Sequence, residues 1–393
     1  MTSCDFVIVI TARASFARVE SFVNAINEQE LVKFNFAILL TASSLQARYG
    51  GGYALIEKCK KYCQKVIVRD TLAIEEELNI LDITKNQIDA VTETILNLKP
   101  SFIITVGDRV ETLGTAIAAS YTSTPLAHIL AGERSGNIDD KVRFSVSNLS
   151  DYWICPSQSA KNVMLNLGCE QRKVFFTGCG STLVASQWRL AKASSVIVKV
   201  KESLLNTNTQ DFNFIKNKNY ILVMLYPETP KLSGFKHEYL EQLLIVLNDR
   251  RENIIFIAPN ADLGTEDIFS RLSRFISKSK KSKRLLIGGI DQLEFYWLIK
   301  NSSCLVGNSS TIVRESIFLG KPSLNLGNRQ KGRSNFPNIK NVDFNSKKIQ
   351  EAINQLTNTK DFSPNHFFGD EKNGSRFISA IEGILNDINH TSS

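Results

Sequence analysis

Short apolar runs recur along this chain with amphipathic stretches between them, and that alternation constrains the architecture more than any other feature. The runs at 6–10, 34–40, 66–68, 102–106, 126–130, 152–155 and 174–176 are dominated by apolar residues instead of alternating with polar ones. Such runs mark strands buried on both faces, as in parallel sheets. Parallel neighbours need a crossover, and the segments 18–28, 84–98 and 110–120 carry the helical period that supplies one. A second set of strands, 220–225, 254–258, 285–287, 304–306 and 323–326, follows a polar stretch at 201–218 that contains NTNTQ and KNKN and reads as a surface connection. The chain is therefore expected to be α/β, with two Rossmann-like domains at 1–190 and 191–393. The last helix is expected to pack back on the N-terminal domain.

Length agrees, because 393 residues exceed the size at which one core keeps growing. Hydrophobic residues make up 43% and charged residues 22% of the chain, and no window reaches the ~18 uninterrupted apolar residues of a membrane helix. The N-terminal apolar run lacks a basic segment before it, so it reads as a strand instead of a signal peptide, and a soluble cytoplasmic protein with no membrane partner is expected. The seven cysteines are odd in number and scattered, which argues against disulfides. Cys59 and Cys63 share a helical face but have neither a second pair nor a nearby histidine, so no metal site is expected. The net charge of +8 excludes little by itself; the densest basic run, KSKKSKR at 278–284, has no interleaved aromatics, and no nucleic-acid partner is expected. A positive balance does suit a small anionic substrate.

Open α/β sheets bind ligands beyond the carboxyl ends of their strands, and the chemically informative residues fall there. Thr11 and Arg13 follow the first strand, Asp108 and Arg109 the fourth, Glu133 the fifth, and Asn260, Asn308, Ser309 and Ser310 follow strands of the second half. The segment 305–320, LVGNSSTIVRESIFLG, reads as strand, polar turn and helix. Ser309 and Ser310 would present hydroxyls and N–H groups to a diphosphate there, and Glu315 would accept from ribose hydroxyls; an ordinary serine cap is the alternative. Arg329, Lys331 and Arg333 in NLGNRQKGR add cations suited to an anion. In the first half, Asp108, Glu133, Asp139 and Asp140 form a carboxylate group beside Arg109 that suits acid–base work; surface ion pairs with Arg134, Lys141 and Arg143 are the alternative. No G-x-S-x-G elbow is present, and among four histidines His128 lies in an apolar strand, as a core residue would.

The residues resemble the UDP-N-acetylglucosamine 2-epimerase family, and within it the hydrolysing branch. The resemblance covers most of the chain and is strongest in GDRVETLGTAIAASYTSTPLAHILAGERSGNIDDKVRF (107–144), APNADLGTED (258–267), VGNSSTIVRES with GKPSLNLGNRQKGR (306–333), and faintly FFGDEKNGS (367–375). It implies a glycosyltransferase-B-like fold of two Rossmann-like domains with a central cleft, no cofactor or metal, a UDP-sugar substrate and a homodimer or higher homo-oligomer. It also implies elimination of UDP to a glycal followed by hydration, releasing N-acetylmannosamine for sialic-acid-like surface polysaccharide synthesis. Asp108 and Asp139 match family acid–base carboxylates, Arg109 the arginine beside the first, and Glu133 the glutamate of the Gly-Gly-Glu turn. Arg13, Asn260, Ser309, Ser310, Glu315 and Arg329 match UDP-contacting positions, and Tyr226 stands for the histidine that faces the diphosphate. Further departures are Leu130 for a catalytic glutamate or another polar residue, Ile312 for a turn glycine, Leu183 for an aspartate, Ala17 for a small polar or glycine residue, and Phe144 for a histidine. They leave open a non-hydrolysing epimerase, a glycosyltransferase, or a UDP-sugar-binding protein with reduced activity.

Overall fold

The computed structural model describes residues 4–29, 33–46, 51–63, 65–72, 80–136, 139–227, 238–259, 265–333 and 335–392. Backbone contacts divide the chain into two units. The first holds Met1–Arg134, Ile138–Leu183 and Phe367–Ser393; the second holds Ser135–Asn137 and Val184–His366.

In chain order the first unit runs β1 (Phe6–Ile10), α1 (Arg13–Glu28), β2 (Phe36–Thr41), α2 (Tyr53–Lys60), β3 (Lys65–Arg69), α3 (Ile80–Leu98), β4 (Phe102–Val106) and α4 (Val110–Tyr121). It continues with β5 (Leu126–Ile129), α5 (Asp139–Asn148), β6 (Tyr152–Cys155), α6 (Gln158–Asn166), β7 (Val174–Phe176) and the start of α7 (Gly180–Ser186). The strands lie in the order β3-β2-β1-β4-β5-β6-β7, every pair parallel. Strand order reverses between β1 and β4, which leaves a crevice at their carboxyl ends.

The second unit contains α8 (Ala193–Glu202), β8 (Leu204–Thr207), α9 (Asn213–Lys216), β9 (Tyr220–Met224), α10 (Glu238–Asp249), β10 (Asn253–Ile257), α11 (Thr265–Lys278) and β11 (Arg284–Ile287). Then come α12 (Gln292–Asn301), β12 (Cys304–Gly307), α13 (Arg314–Leu319), β13 (Ser323–Leu326), β14 (Ile339–Val342) and α14 (Ser346–Thr357). Its sheet order is β14-β13-β12-β9-β10-β11-β8, parallel except where β8 runs antiparallel to β11. Here the reversal falls between β9 and β12. Both units are thus doubly wound, Rossmann-like sheets. Two apolar layers cover the second sheet, one around Tyr220, Leu222, Ile255 and Leu305, the other around Ile221, Val223, Ile254 and Phe256. Consecutive strand residues feed opposite layers, as the period of two requires.

The stretch at 201–218 is a correction to the sequence expectation. It is not a plain surface connection, because Leu204–Thr207 forms β8 at the sheet edge and Asn213–Lys216 forms α9. An edge strand that is only partly buried carries no continuous apolar run, so its sequence looks like a loop.

The C-terminal α15 (Asn373–Ser392) packs in the first unit. Phe377 stacks on Phe22 of α1 with ring centroids 4.4 Å apart. At its start the fully buried Asn373 donates to the Cys179 carbonyl and Thr182 Oγ1, each at 3.0 Å, and accepts from the Asp370 N–H. Near its end Asp387 accepts from Tyr152 at 2.9 Å.

Candidate active site

In the first unit the candidate acids lie on the turn after β4, the loop after β5 and the first turn of α5. β4 ends at Val106, and Gly107 then turns the chain with φ 84, a left-handed conformation that suits glycine. Asp108 and Arg109 follow, with Arg109 as the N-cap residue of α4 and Arg13 as the first residue of α1. Arg109 turns its guanidinium to Glu111, Nε to Oε2 at 3.3 Å, and Glu111 is buried.

The centre of the acid group is Arg143, whose side chain is 2% exposed. It donates through Nη2 to Asp108 Oδ2, and through Nη1 to Asp140 Oδ1 at 2.5 Å and to the Glu133 carbonyl at 2.9 Å. One planar fork therefore fixes the turn after β4, the loop after β5 and the first turn of α5. Sequence reasoning placed Arg143 only in surface ion pairs. The ion pairs exist, but the guanidinium is buried, and the i,i+3 spacing from Asp140 to Arg143 was the available signal. Asp139 opens α5 and Glu133 is 5% exposed in the preceding loop.

His128 is fully buried, as its apolar strand suggested, and burial lowers its pKa to about 4. Leu130 leaves β5 with φ 71 while 7% exposed. A left-handed leucine is strained by about 1 kcal/mol or more, and such strain collects at functional loops. The Ile154 carbonyl accepts from the Leu130 and Ala131 N–H groups at 3.0 and 3.3 Å, which holds the turn.

In the second unit the candidate nucleotide residues lie on loops after β9, β12 and β13. Gly307 has φ 145, and a Cβ there would lie 1.9 Å from the Met224 carbonyl oxygen, so only glycine lets β12 approach β9 this closely. The buried Asn308 then clamps the loop after β9: its Oδ1 accepts from the Tyr226 N–H at 2.7 Å and its Nδ2 donates to the Tyr226 carbonyl at 2.9 Å. Gln330 Nε2 donates to the Asn308 carbonyl at 2.9 Å, and Arg333 Nε donates to Gln330 Oε1 at 2.6 Å. These ties make one rigid platform from three loops. On it Arg329 places its guanidinium carbon 5.2 Å from the Tyr226 ring centroid, a cation–π contact. The tyrosine thus shapes the arginine that the sequence had assigned to the nucleotide. Asn308 and Gln330 were missed as organisers because an amide that pairs with backbone leaves no periodic trace in the sequence.

Ser309 caps a 3-10 turn at Ser310–Ile312, accepting from the Thr311 N–H at 3.3 Å, and α13 follows with Glu315 1% exposed. Ile312 lies in that turn, fully buried and with no left-handed backbone, so the residue expected to crowd the turn packs into the core instead. Asn260 lies outside the described residues. Beyond β13 and β14 a cavity of about 390 Å³ has Asn325, Asn328, Lys331, Asn341, Val342 and Asp343 in its lining, beside the loop that carries Arg329.

Among the described residues no group of three or more His, Cys, Asp and Glu could hold a metal, and no helix is long and apolar enough to cross a membrane. Burial pushes the Cys59 and Cys304 thiols up to about 12, far from nucleophilic poise.

The family model described as UDP-N-acetylglucosamine 2-epimerase matches residues 29–382. A UDP-N-acetylglucosamine 2-epimerase of Neisseria meningitidis serogroup B is 26% identical over 372 residues, covering 94% of this chain and 92% of the relative. A GDP/UDP-N,N'-diacetylbacillosamine 2-epimerase (hydrolyzing) of Campylobacter jejuni is 27% identical, covering 93% and 90%. Among solved structures, UDP-GlcNAc 2-epimerase from Neisseria meningitidis bound to UDP-GlcNAc superposes with TM-score 0.74 at 19% identity, covering 97% of this chain and 99% of that one.

Proposed function

Because the chain belongs to the UDP-N-acetylglucosamine 2-epimerase family, we propose that it is a hydrolysing member, converting UDP-N-acetylglucosamine to N-acetylmannosamine and UDP, or a closely related UDP-acetamido sugar to its own free 2-epimer and UDP. A carboxylate takes the C2 proton, the C1–O bond breaks with its electrons leaving on UDP, and a C1=C2 glycal remains. Water then adds its hydroxyl at C1 while C2 regains a proton on the opposite face, which inverts that carbon. The first step needs a placed, ionised carboxylate, and the departing diphosphate needs cations or N–H donors.

Asp108 and Asp139 serve the proton transfers in this scheme, with Glu133 and Arg109 beside them. Arg13, Asn260, Ser309, Ser310, Glu315, Arg329 and Tyr226 hold UDP. The observation that carries the proposal is the ion pair of Asp108 with buried Arg143, which holds a carboxylate in place at the turn after β4. The Campylobacter jejuni relative, described as hydrolyzing and acting on a diacetamido sugar, supports the choice of branch and a tolerance for substituted acetamido sugars. Leu130, an apolar residue on a strained turn, favours a second reading in which a UDP-sugar is bound and turned over slowly or not at all.

The test is UDP release from a panel of UDP-acetamido sugars. UDP with N-acetylmannosamine from UDP-N-acetylglucosamine is the expected result. An intact UDP-sugar isomer would assign the non-hydrolysing reaction, and calorimetric UDP binding without any turnover would favour the second reading.

A further inference from the structure

The candidate acids of the first unit rest on a buried strut that the reaction scheme does not use. His128 in β5 has Nε2 2.7 Å from the Gly107 carbonyl oxygen and Nδ1 2.9 Å from Ser147 Oγ. A carbonyl can only accept, so Nε2 carries the hydrogen and Nδ1 accepts from the Ser147 hydroxyl. Full burial disfavours the charged ring, so this tautomer persists at neutral pH.

The two ends of the strut are informative. Gly107 immediately precedes Asp108, and its left-handed turn aims that side chain. Ser147 lies one helical turn beyond Arg143 on α5, and its own carbonyl accepts from Trp153 Nε1 at 2.8 Å, which anchors that end to β6. The ring thus spans the turn that carries Asp108 and the helix that carries Asp139, Asp140 and Arg143.

We propose that His128 is a positioning residue that fixes the separation between the Gly107 turn and helix α5, so that Asp108 meets Arg143 in a single geometry. The proposal rests on the reading above only in assigning Asp108 to proton transfer. The geometry itself can be tested without substrate.

With four histidines in the chain, imidazole nitrogen NMR of the labelled protein is tractable, and the His128 signal is the one missing from His128→Gln. A neutral ring with its hydrogen on Nε2 is expected at pH 7; the other tautomer, or a charged ring, overturns the proposal. Amide hydrogen exchange supplies a second arm that is likewise independent of turnover. Ser147→Ala removes only the far anchor and should speed exchange across 105–112 and 139–148 while the rest of the protein is unchanged. Unchanged exchange in those segments contradicts the strut.

Kinetics provide the third arm if UDP release is found. His128→Leu should lower kcat roughly 10- to 100-fold, the scale of a small misplacement of a reacting group, with KM within roughly threefold of wild type. His128→Gln, whose amide N–H reaches the same carbonyl, should regain a good part of that loss. Equal loss in both variants, or a KM that rises in step with the fall in kcat, means the residue only supports the fold. Should the leucine variant not fold, the tautomer and the Ser147→Ala exchange still decide. Failure to detect any turnover would count against the reaction scheme and leave those two arms standing.

Discussion

Arg143, buried in helix α5, donates through Nη2 to the carboxylate of Asp108, 35 residues earlier in the chain. The same guanidinium holds Asp140 and the Glu133 carbonyl, so three segments depend on one charge. Removing one partner of a buried ion pair leaves the other charge uncompensated, at a cost of about 3–5 kcal/mol when both are fully buried.

Arg143→Met should therefore destabilise the protein. The Asp108 and Asp140 side chains retain 29% and 21% exposure, so water recovers part of the loss and about 2 kcal/mol is expected. Urea unfolding would read it as a lower midpoint. An unchanged midpoint would mean the pair contributes nothing net. Arg143→Lys keeps the charge but not the planar fork, and should lie between the two.

Asp108→Asn should lower kcat by ~10² to 10⁴, the usual loss when a placed proton-transfer group is removed. The amide oxygen can still accept from Arg143, so the fold should survive, as circular dichroism would show. Turnover equal to wild type would remove Asp108 from the mechanism.

Under the proposed assignment of Arg329 to the diphosphate, Arg329→Ala should weaken UDP binding, measured by calorimetry, by the loss of one charged hydrogen-bond donor. Hydrogen bonds to charged groups are each worth about 1.5–3 kcal/mol, or roughly 10- to 100-fold in Kd. Arg329→Lys should restore little, since an ammonium neither forks nor stacks on Tyr226 as the guanidinium does. Wild-type affinity in the alanine variant would place the diphosphate elsewhere.

Stability should also fall in mild acid through His128. Its folded pKa is about 4, below the ordinary 6.5 that the unfolded chain would show, so between those values the unfolded state binds the proton and the folded state does not. The contribution is fully present above pH 6.5 and is lost as pH falls towards 4, amounting to about 3 kcal/mol in all. The pH dependence of the unfolding midpoint should be visibly shallower in His128→Leu over that window. An identical slope would contradict a neutral buried ring.

The sequence made the strands of the first sheet plain, its edges β3 and β7 included, and left the two edges of the second sheet obscure. Phe6–Ile10, Phe102–Val106 and Tyr152–Cys155 form strands with the expected bounds, because burial on both faces demands an unbroken apolar run. β8 and β14 were not expected, since their exposed residues dilute that signal. Leu130 was expected to end a strand and instead turns left-handed, a backbone feature that leucine conceals. At the candidate site, the loops carrying Asp108, Ser309 and Arg329 do follow strands, as topology required. The organising roles of Asn308 and Gln330 were not legible, and of Arg143 only its ion pairing with the acids was, not its burial. Each is a polar residue whose burial depends on partners 10 to 82 positions away, and no local period records such distances.

Isotope analysis of the products tests the elimination chemistry most directly. With UDP-N-acetylglucosamine as substrate in heavy-oxygen, deuterated water, mass spectrometry should find UDP free of solvent oxygen and N-acetylmannosamine carrying deuterium at C2, since the C1–O bond breaks and C2 is reprotonated from solvent. Solvent oxygen in the released nucleotide, or a product whose C2 hydrogen came intact from the substrate, would contradict it.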